Sequence, residues 1–206
     1  SHLGKGDEIA DYSENFGTDE TTVKTVSIMY YDDGTKRAVS ADPDDVLKIV
    51  ETRKSTLTGI LQSKTYYDSH LGKGDEIADY SENFGTDGVT VKTVSIMFYA
   101  DGSKRASLSD TDDVLRIVET RKLSIDGILQ SKTYYDSHLG KGDEIADYSE
   151  NFGTDGVTVK TVSIMFYADG SKRASLSDTD DVLRIVETRK LSIDGILQSK
   201  TYYDSH

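Results

Sequence analysis

The chain has 206 residues, of which 37 are acidic and 24 basic, for a formal net charge of −13. Nucleic-acid binding needs a basic surface that releases counterions; the basic residues here lie scattered among acids, so no nucleic acid is expected as a partner and an anionic membrane surface is disfavoured. The absence of cysteine excludes disulfides, thiolate metal sites and cysteine nucleophiles, and no stretch approaches the ~20 apolar residues of a membrane helix, so no membrane insertion is expected.

The sequence is a tandem repeat. Ser1-His2-Leu3-Gly4-Lys5-Gly6 returns from Ser69 and again from Ser137, a period of 68 residues. Repeat one is 1–68, repeat two 69–136 and repeat three 137–204, and 205–206 open a further one. Repeats two and three are identical, and repeat one differs from them at 14 positions, among them Glu20/Gly88, Tyr30/Phe98, Thr35/Ser103, Lys48/Arg116 and Leu57/Ile125. Many of these changes keep size or charge, which suits duplication followed by drift; a three-copy design, an engineered single-chain pseudo-trimer, is the rival. The missing initiator methionine and ends that fall inside a Ser-His motif suggest a segment of a longer array. Modules of this size bury little core, and 35% hydrophobic residues with a mean hydropathy of −0.51 suit units that cover one another.

In chain order through repeat two, Gly72-Lys73-Gly74-Asp75 reads as a turn into a strand over 76–80, and Thr86-Asp87-Gly88-Val89 as a turn into the next. Val91–Tyr99 is rich in β-branched and aromatic residues, with Val94, Ile96 and Phe98 alternating against Thr93, Ser95 and Met97, which predicts a strand. Asp101-Gly102 predicts a hairpin turn of type I′ or a close relative, with a returning strand over 104–108. The segment 110–122 is open to two readings. In repeat one Asp42-Pro43 resembles a helix cap followed by proline at the first helical position, with Arg53 and Lys54 at the far end, yet Leu115, Ile117, Glu119 and Arg121 also alternate as in a strand. Ile125-Asp126-Gly127-Ile128 is another hairpin turn, and 130–135 a strand. Short strands with regularly spaced turns predict an all-β tandem repeat of antiparallel strands and hairpins, solenoid- or shell-like. The alternative is an α+β unit with one short helix within 112–122.

Tyr31-Asp32-Asp33-Gly34-Thr35-Lys36-Arg37, Tyr99-Ala100-Asp101-Gly102-Ser103-Lys104-Arg105 and Tyr67-Asp68-Ser69-His70-Leu71-Gly72 resemble the tyrosine-aspartate (YD) repeats of bacterial Rhs proteins and teneurins. The resemblance implies strand–turn–strand elements coiled into a β-sheet shell or spiral on a large secreted or surface protein. It covers three short stretches per period, the family's Tyr-Asp-x-x-Gly-Arg-Leu core is not reproduced, and no catalytic residues come with it.

The densest carboxylate clusters are Asp42, Asp44 and Asp45, Asp110, Asp112 and Asp113, and Asp178, Asp180 and Asp181. Clustered acids on a turn begin the oxygen shell that Ca²⁺ wants, and helix caps or soluble turns are the plainer reading. The one histidine per period (His2, His70, His138, His206) would need partners such as Asp68 and Asp75 to hold a metal, and a solvated turn is the simpler expectation. Gly72-Lys73-Gly74 lacks the full phosphate-loop pattern. The stretch from Asp79 to Asp87 superficially resembles an EF-hand loop, with its glycine one position late and no closing Glu. Asn15, Asn83 and Asn151 are candidates for isopeptide bonds to lysine if a buried acid lies beside them. No convergent nucleophile–base set appears, so no enzyme is expected. The chain reads as a structural stalk, shell or fibre segment of an extracellular or cell-surface protein, an acidic filament former whose partners are neighbouring repeats or copies of itself. A multivalent ligand- or glycan-binding array is the alternative.

Overall fold

The computed structural model describes residues 8–204; His2, His206, the first Ser-His-Leu-Gly-Lys-Gly hexapeptide and the opening of a fourth repeat lie outside the described residues. Among the described residues, twelve strands form one open antiparallel sheet in chain order. Repeat one contributes β1 (Tyr12–Phe16), β2 (Val23–Tyr31), β3 (Leu47–Lys54) and β4 (Leu61–Asp68). Repeat two contributes β5 (Ile77–Phe84), β6 (Val91–Tyr99), β7 (Leu115–Lys122) and β8 (Leu129–Asp136), and repeat three β9 (Ile145–Phe152), β10 (Val159–Tyr167), β11 (Leu183–Lys190) and β12 (Leu197–Tyr202). The protein is all-β, and the strands expected at Val91–Tyr99 and within 130–135 are present.

Three local expectations are corrected. The helix considered for 112–122 is strand β7, because a run of Leu, Ile and Val alternating with polar residues gains more from a half-buried ladder than from a helix that its β-branched residues disfavour. Asp42 and Pro43 instead open a turn in which Asp45 N–H donates to the Asp42 carbonyl at 3.0 Å, with proline at the second position that its fixed φ suits. The returning strand expected over 104–108 does not form; Lys104 makes a single bridge to Tyr99, and Ala106–Leu108 is a 3₁₀ turn. The equivalent stretch of repeat one shows why: β3 pairs with β2 from Leu47 to Lys54, so the ladder positions beside β2 are taken. Nor are Asp101 and Gly102 the central pair of the turn. Gly102 N–H donates to the Tyr99 carbonyl at 2.9 Å, so Ala100 and Asp101 are central, and of these Ala100 has positive φ (59°). The Asp101 carboxylate accepts from Ser103 N–H (2.9 Å) and Oγ (2.6 Å), closing a wider loop.

The chain divides into two compact bodies, residues up to Ser95 with Ala106–Thr111, and Ile96–Arg105 with the residues from Asp112 onward. In the first, the register aligns Tyr12, Ile28, Glu51, Lys64 and Glu82 in one row across β1 to β5. Beside it on the same face run Tyr30, Ile49, Tyr66 and Tyr80. Val26 and Ile28 are buried on this face; their neighbours across the strands include Glu14, Arg53 and Glu51, whose aliphatic stems cover apolar surface, the Glu51 carboxylate being itself buried against its cations. The opposite face carries short polar side chains, with Ser13, Ser27, Thr52, Ser63 and Asn83 in one row. The second body repeats the scheme: Ile117, Tyr134, Tyr148, Ile164, Glu187 and Lys200 form one row, and Thr133, Ser149, Ser163, Thr188 and Ser199 a hydroxyl row on the other face. In each body a loop docks back through arginine. Arg37 makes a two-pronged ion pair with Asp11 (2.8 and 2.7 Å) and Arg173 the same with Asp147, each guanidinium also lying near an aromatic ring, Tyr30 or Phe166.

Three backbone positions are open to a stability test. Ala100 and Ala168 sit in the left-handed region, where a Cβ costs about 1 kcal/mol; Ala100→Gly and Ala168→Gly are each expected to raise stability by up to ~1 kcal/mol in urea melts. At Gly127 the conflict is reversed, since a Cβ there would stand 1.8 Å from the Lys122 carbonyl oxygen, so Gly127→Ala is expected to lose roughly 1–3 kcal/mol.

Candidate functional site

Each repeat closes on a charge cluster built in the same way. Strand β3 alternates Ile49, Glu51 and Arg53 onto the covered face, and its register sets Glu51 beside Lys64 of β4. Glu51 is buried and receives Lys64 Nζ at 3.0 Å and Arg53 at 2.8 Å. Repeat two places Lys132 at 2.8 Å and Arg121 at 2.7 Å from Glu119, and repeat three Lys200 at 2.6 Å and Arg189 at 2.7 Å from Glu187. Burial pushes the Glu51 and Glu119 carboxyls up, but the lysine and arginine hydrogen bonds outweigh it and hold both below the usual glutamate range. At Glu187 the Lys200 hydrogen bond leads, in the same direction.

From there β4 meets β5. Lys64 stands opposite Glu82, Thr65 opposite Ser81 and Tyr66 opposite Tyr80. The two tyrosine rings stack at 4.4 Å between centroids, 15° from parallel, Tyr66 hydroxyl donates to Glu82 at 2.9 Å, and the Thr65 and Ser81 hydroxyls are 2.7 Å apart. Burial first, and then Glu82, raises the Tyr66 hydroxyl well above its ordinary range. Between β8 and β9 the set recurs with Tyr134 and Tyr148 at 4.5 Å, Tyr134 to Glu150 at 2.9 Å and Thr133 to Ser149 at 2.7 Å. At the end of each seam lies a groove. Lys54, Ile60, Gln62, Phe84, Thr86 and Lys92 line one of about 400 Å³, and their equivalents Lys122, Ile128, Gln130, Phe152, Thr154 and Lys160 line one of about 290 Å³.

The residues singled out from sequence lie elsewhere. Around Lys36 the carboxylates of Asp32, Asp45 and Asp42 stand at 3.0, 3.1 and 3.8 Å, so the cation they surround is the chain's own ammonium. Lys172 stands 2.8 Å from Asp181 and 3.8 Å from Asp178, and Lys104 3.0 Å from Asp113. Asp44, Asp110, Asp112 and Asp180 are exposed on the same turns. Among the described residues no three His, Asp or Glu side chains converge as a metal shell. His70 pairs through Nδ1 with Asp68, and His138 with Asp136, while Asp75 lies in the following turn, its N–H on the Gly72 carbonyl. The EF-hand-like stretch is strand β5 and its hairpin, in which Asp87 accepts from Val89 and Thr90 N–H. Asn83 Nδ2 is held by Thr93 and Ser95 hydroxyls at 3.3 and 3.2 Å, and Asn151 likewise by Thr161 and Ser163. Sequence reasoning missed the Glu51, Arg53 and Lys64 cluster; the signal was there in a Glu-x-Arg on one strand followed by a lysine at the register position of the next.

The chain matches no protein-family model and no curated protein.

The buried charge cluster and the β5–β6 turn can each be tested. Lys132→Met keeps the stem over the sheet but strips one of two cations from buried Glu119; it is expected to cost about 1–3 kcal/mol, read by denaturant melts. Because the Glu119 carboxyl is held below the ordinary 4.5, its contribution is full above that pH and is lost as pH falls through the lowered value. Asp87 is the second case. The Thr90 hydroxyl and the Thr90 and Val89 amides lower it from 3.8 to about 2, so what it contributes holds above pH 3.8 and disappears as pH falls toward 2. Thr90→Val removes the largest cause and is expected to move the Asp87 carboxyl titration, followed by NMR, upward toward 3.8.

Proposed function

We propose that this chain is a structural tandem-repeat segment, in which each repeat lengthens one sheet by four strands as part of a larger extracellular or surface protein. The observation that supports this most directly is the repeated seam. Strands β4 and β5 pair in the same register, with the same stacked tyrosines, hydroxyl pair and charge row, as β8 and β9. Identical junctions let length grow without a new interface. The Tyr-Asp motifs sit where such a reading wants them: Tyr31 ends β2 and Asp32 enters the following turn with positive φ, while Tyr67 and Asp68 end β4. The kinship with tyrosine-aspartate repeats is proposed at that level, as a shared strand–turn–strand logic. Nothing in the reading is routed through Ca²⁺, since lysine supplies the positive charge among the aspartates.

A second reading rests on the paired grooves. Each sets an aromatic ring and an isoleucine between two lysines, which suits a ligand with an acidic group and an apolar face, acidic glycans included. Identical weak sites in one chain gain by avidity. Affinity that rises steeply from one repeat to three, and falls when Lys92 and Lys160 are replaced by Met, would favour this reading.

The structural reading is tested by urea melts of chains with one, two and three repeats. Stability that climbs with each added repeat is expected, because each addition creates another β4–β5-type seam. Equal midpoints for all three lengths would mean self-sufficient units and would end the reading.

A further inference from the structure

The two outer strands of the sheet are halves of a seam the chain already makes twice. Strand β12 has the sequence of the first six residues of β4 and β8, and β1 that of the last five residues of β5 and β9. Among the described residues β1 and β12 are the end strands of the order, each with one hydrogen-bonded neighbour. Their side chains are correspondingly bare. Ile196 is 79% exposed where its equivalents Ile60 and Ile128 are 48% and 49%, and at the other end Phe16 is exposed where Phe84 and Phe152 are half-buried.

The backbone polarity of the edges agrees. Tyr203 N–H donates inward to the Arg184 carbonyl, and since ladder hydrogen bonds alternate sides along a strand, the backbone groups of Lys200 and Tyr202 point to the open edge. At β1 the Asp11 carbonyl accepts inward from Met29 N–H, so the same alternation turns Tyr12 and Glu14 outward. The register of the internal seams, Lys64 to Glu82 and Tyr66 to Tyr80, transposes to Lys200 with Glu14 and Tyr202 with Tyr12. The residues whose amides face outward on one edge are thus those that the transposed register sets against the outward amides of the other. The charges match as well. Glu187 and Lys200 are already paired, and an incoming Glu14 completes the acid–base–acid row seen at Glu119, Lys132 and Glu150.

We propose that copies of this chain join head to tail, β12 of one pairing antiparallel with β1 of the next in the register of β4 with β5. This rests on the structural reading above and names its partner: a second copy of the same chain. Each join would bring Tyr202 onto Tyr12, Thr201 onto Ser13 and Lys200 onto Glu14, and would set Ile196 and Gln198 beside Phe16 and Lys24 as in the two internal grooves. The contact is heterologous, leaving a free β1 at one end of every dimer and a free β12 at the other, so that it propagates.

The absence of native cysteine makes the test clean. Thr201→Cys in one preparation and Ser13→Cys in another are mixed and mildly oxidised, with the Thr133→Cys/Ser149→Cys chain as a control whose hydroxyl counterparts lie 2.7 Å apart. The expected result is a 201–13 mixed dimer at least tenfold more abundant than either homodimer, together with a sedimentation-average mass that rises with protein concentration. Glu14→Pro removes an outward amide from an edge strand where proline is tolerated; with the Glu14 stem gone from beside Val26 the single chain is expected to melt slightly earlier, while association falls at least tenfold. Like-with-like disulfides in equal yield, or no crosslink while the control closes, or a mass that stays monomeric at millimolar concentration, would overturn the proposal. A monomer whose stability still climbs with repeat number would sink the head-to-tail contact alone and leave the structural reading standing.

Discussion

Cross-strand register carries this fold. Among the described residues the strands belong to one sheet and the only helical turns are three-residue 3₁₀ segments, so no layer of helices buries a hydrophobic face in the usual way. Burial comes from side chains lying along the sheet itself and from the docked loops, whose Ala41, Ala106 and Ala174 are fully buried. That works because an antiparallel ladder sets opposed residues within contact distance, and because the long side chains here are in the same rows as the apolar ones. Val26 and Ile28 are covered although the strands on either side bring glutamate and arginine against them. A slip of one residue would turn Glu51 toward the hydroxyl face and expose the valine.

The same arrangement explains why charge is buried at all. Glu51, Glu119 and Glu187 would each be costly in isolation, yet each is met by a lysine from the next strand and an arginine two residues on. An ion pair of this sort contributes less to net stability than an apolar replacement of equal volume would. Its worth is in selection: lysine on β4 finds its glutamate on β3 and another on β5 in one register only. The seam between repeats is therefore specified by charge as well as by shape, and the outer strands carry the two unmatched halves of that specification.

Much of the strand pattern was legible in the sequence because it depends on local chemistry. Alternation in Val91–Tyr99, and turns rich in Gly and Asp, mark strand and hairpin without reference to anything distant. What failed depended on competition between segments. Residues 104–108 have the composition of a strand, but the place beside β6's equivalent in repeat one is filled by β3, and a loop cannot know this from its own residues. The 112–122 segment carried helix signals in Asp42-Pro43 that a turn uses equally well. For the site, the aspartate clusters drew the eye because they are dense along the chain, while the buried Glu, Arg and Lys set is dispersed over two strands and gathered only by register. The hydroxyl rows were hidden for the same reason.

Near-identity of the repeats also has a bearing on how the chain finds its native pairing. Strands β4 and β8 have the same sequence, as do β5 and β9, so β4 can satisfy every hydrogen bond, ring stack and ion pair of its seam on β9 instead of β5. Such a skip lengthens the connection from residues 69–76 to residues 69–144, an added closure entropy of only roughly 2 kcal/mol, and it strands an entire repeat outside the sheet. The local energetics do not distinguish the two states; only the lost strands of the excluded repeat do. Refolding from denaturant is in consequence a search among degenerate partners, and the differences of repeat one do not relieve it, because none of them falls in β4 or in the Tyr-Ser-Glu-Asn-Phe stretch that β1 shares with β5 and β9.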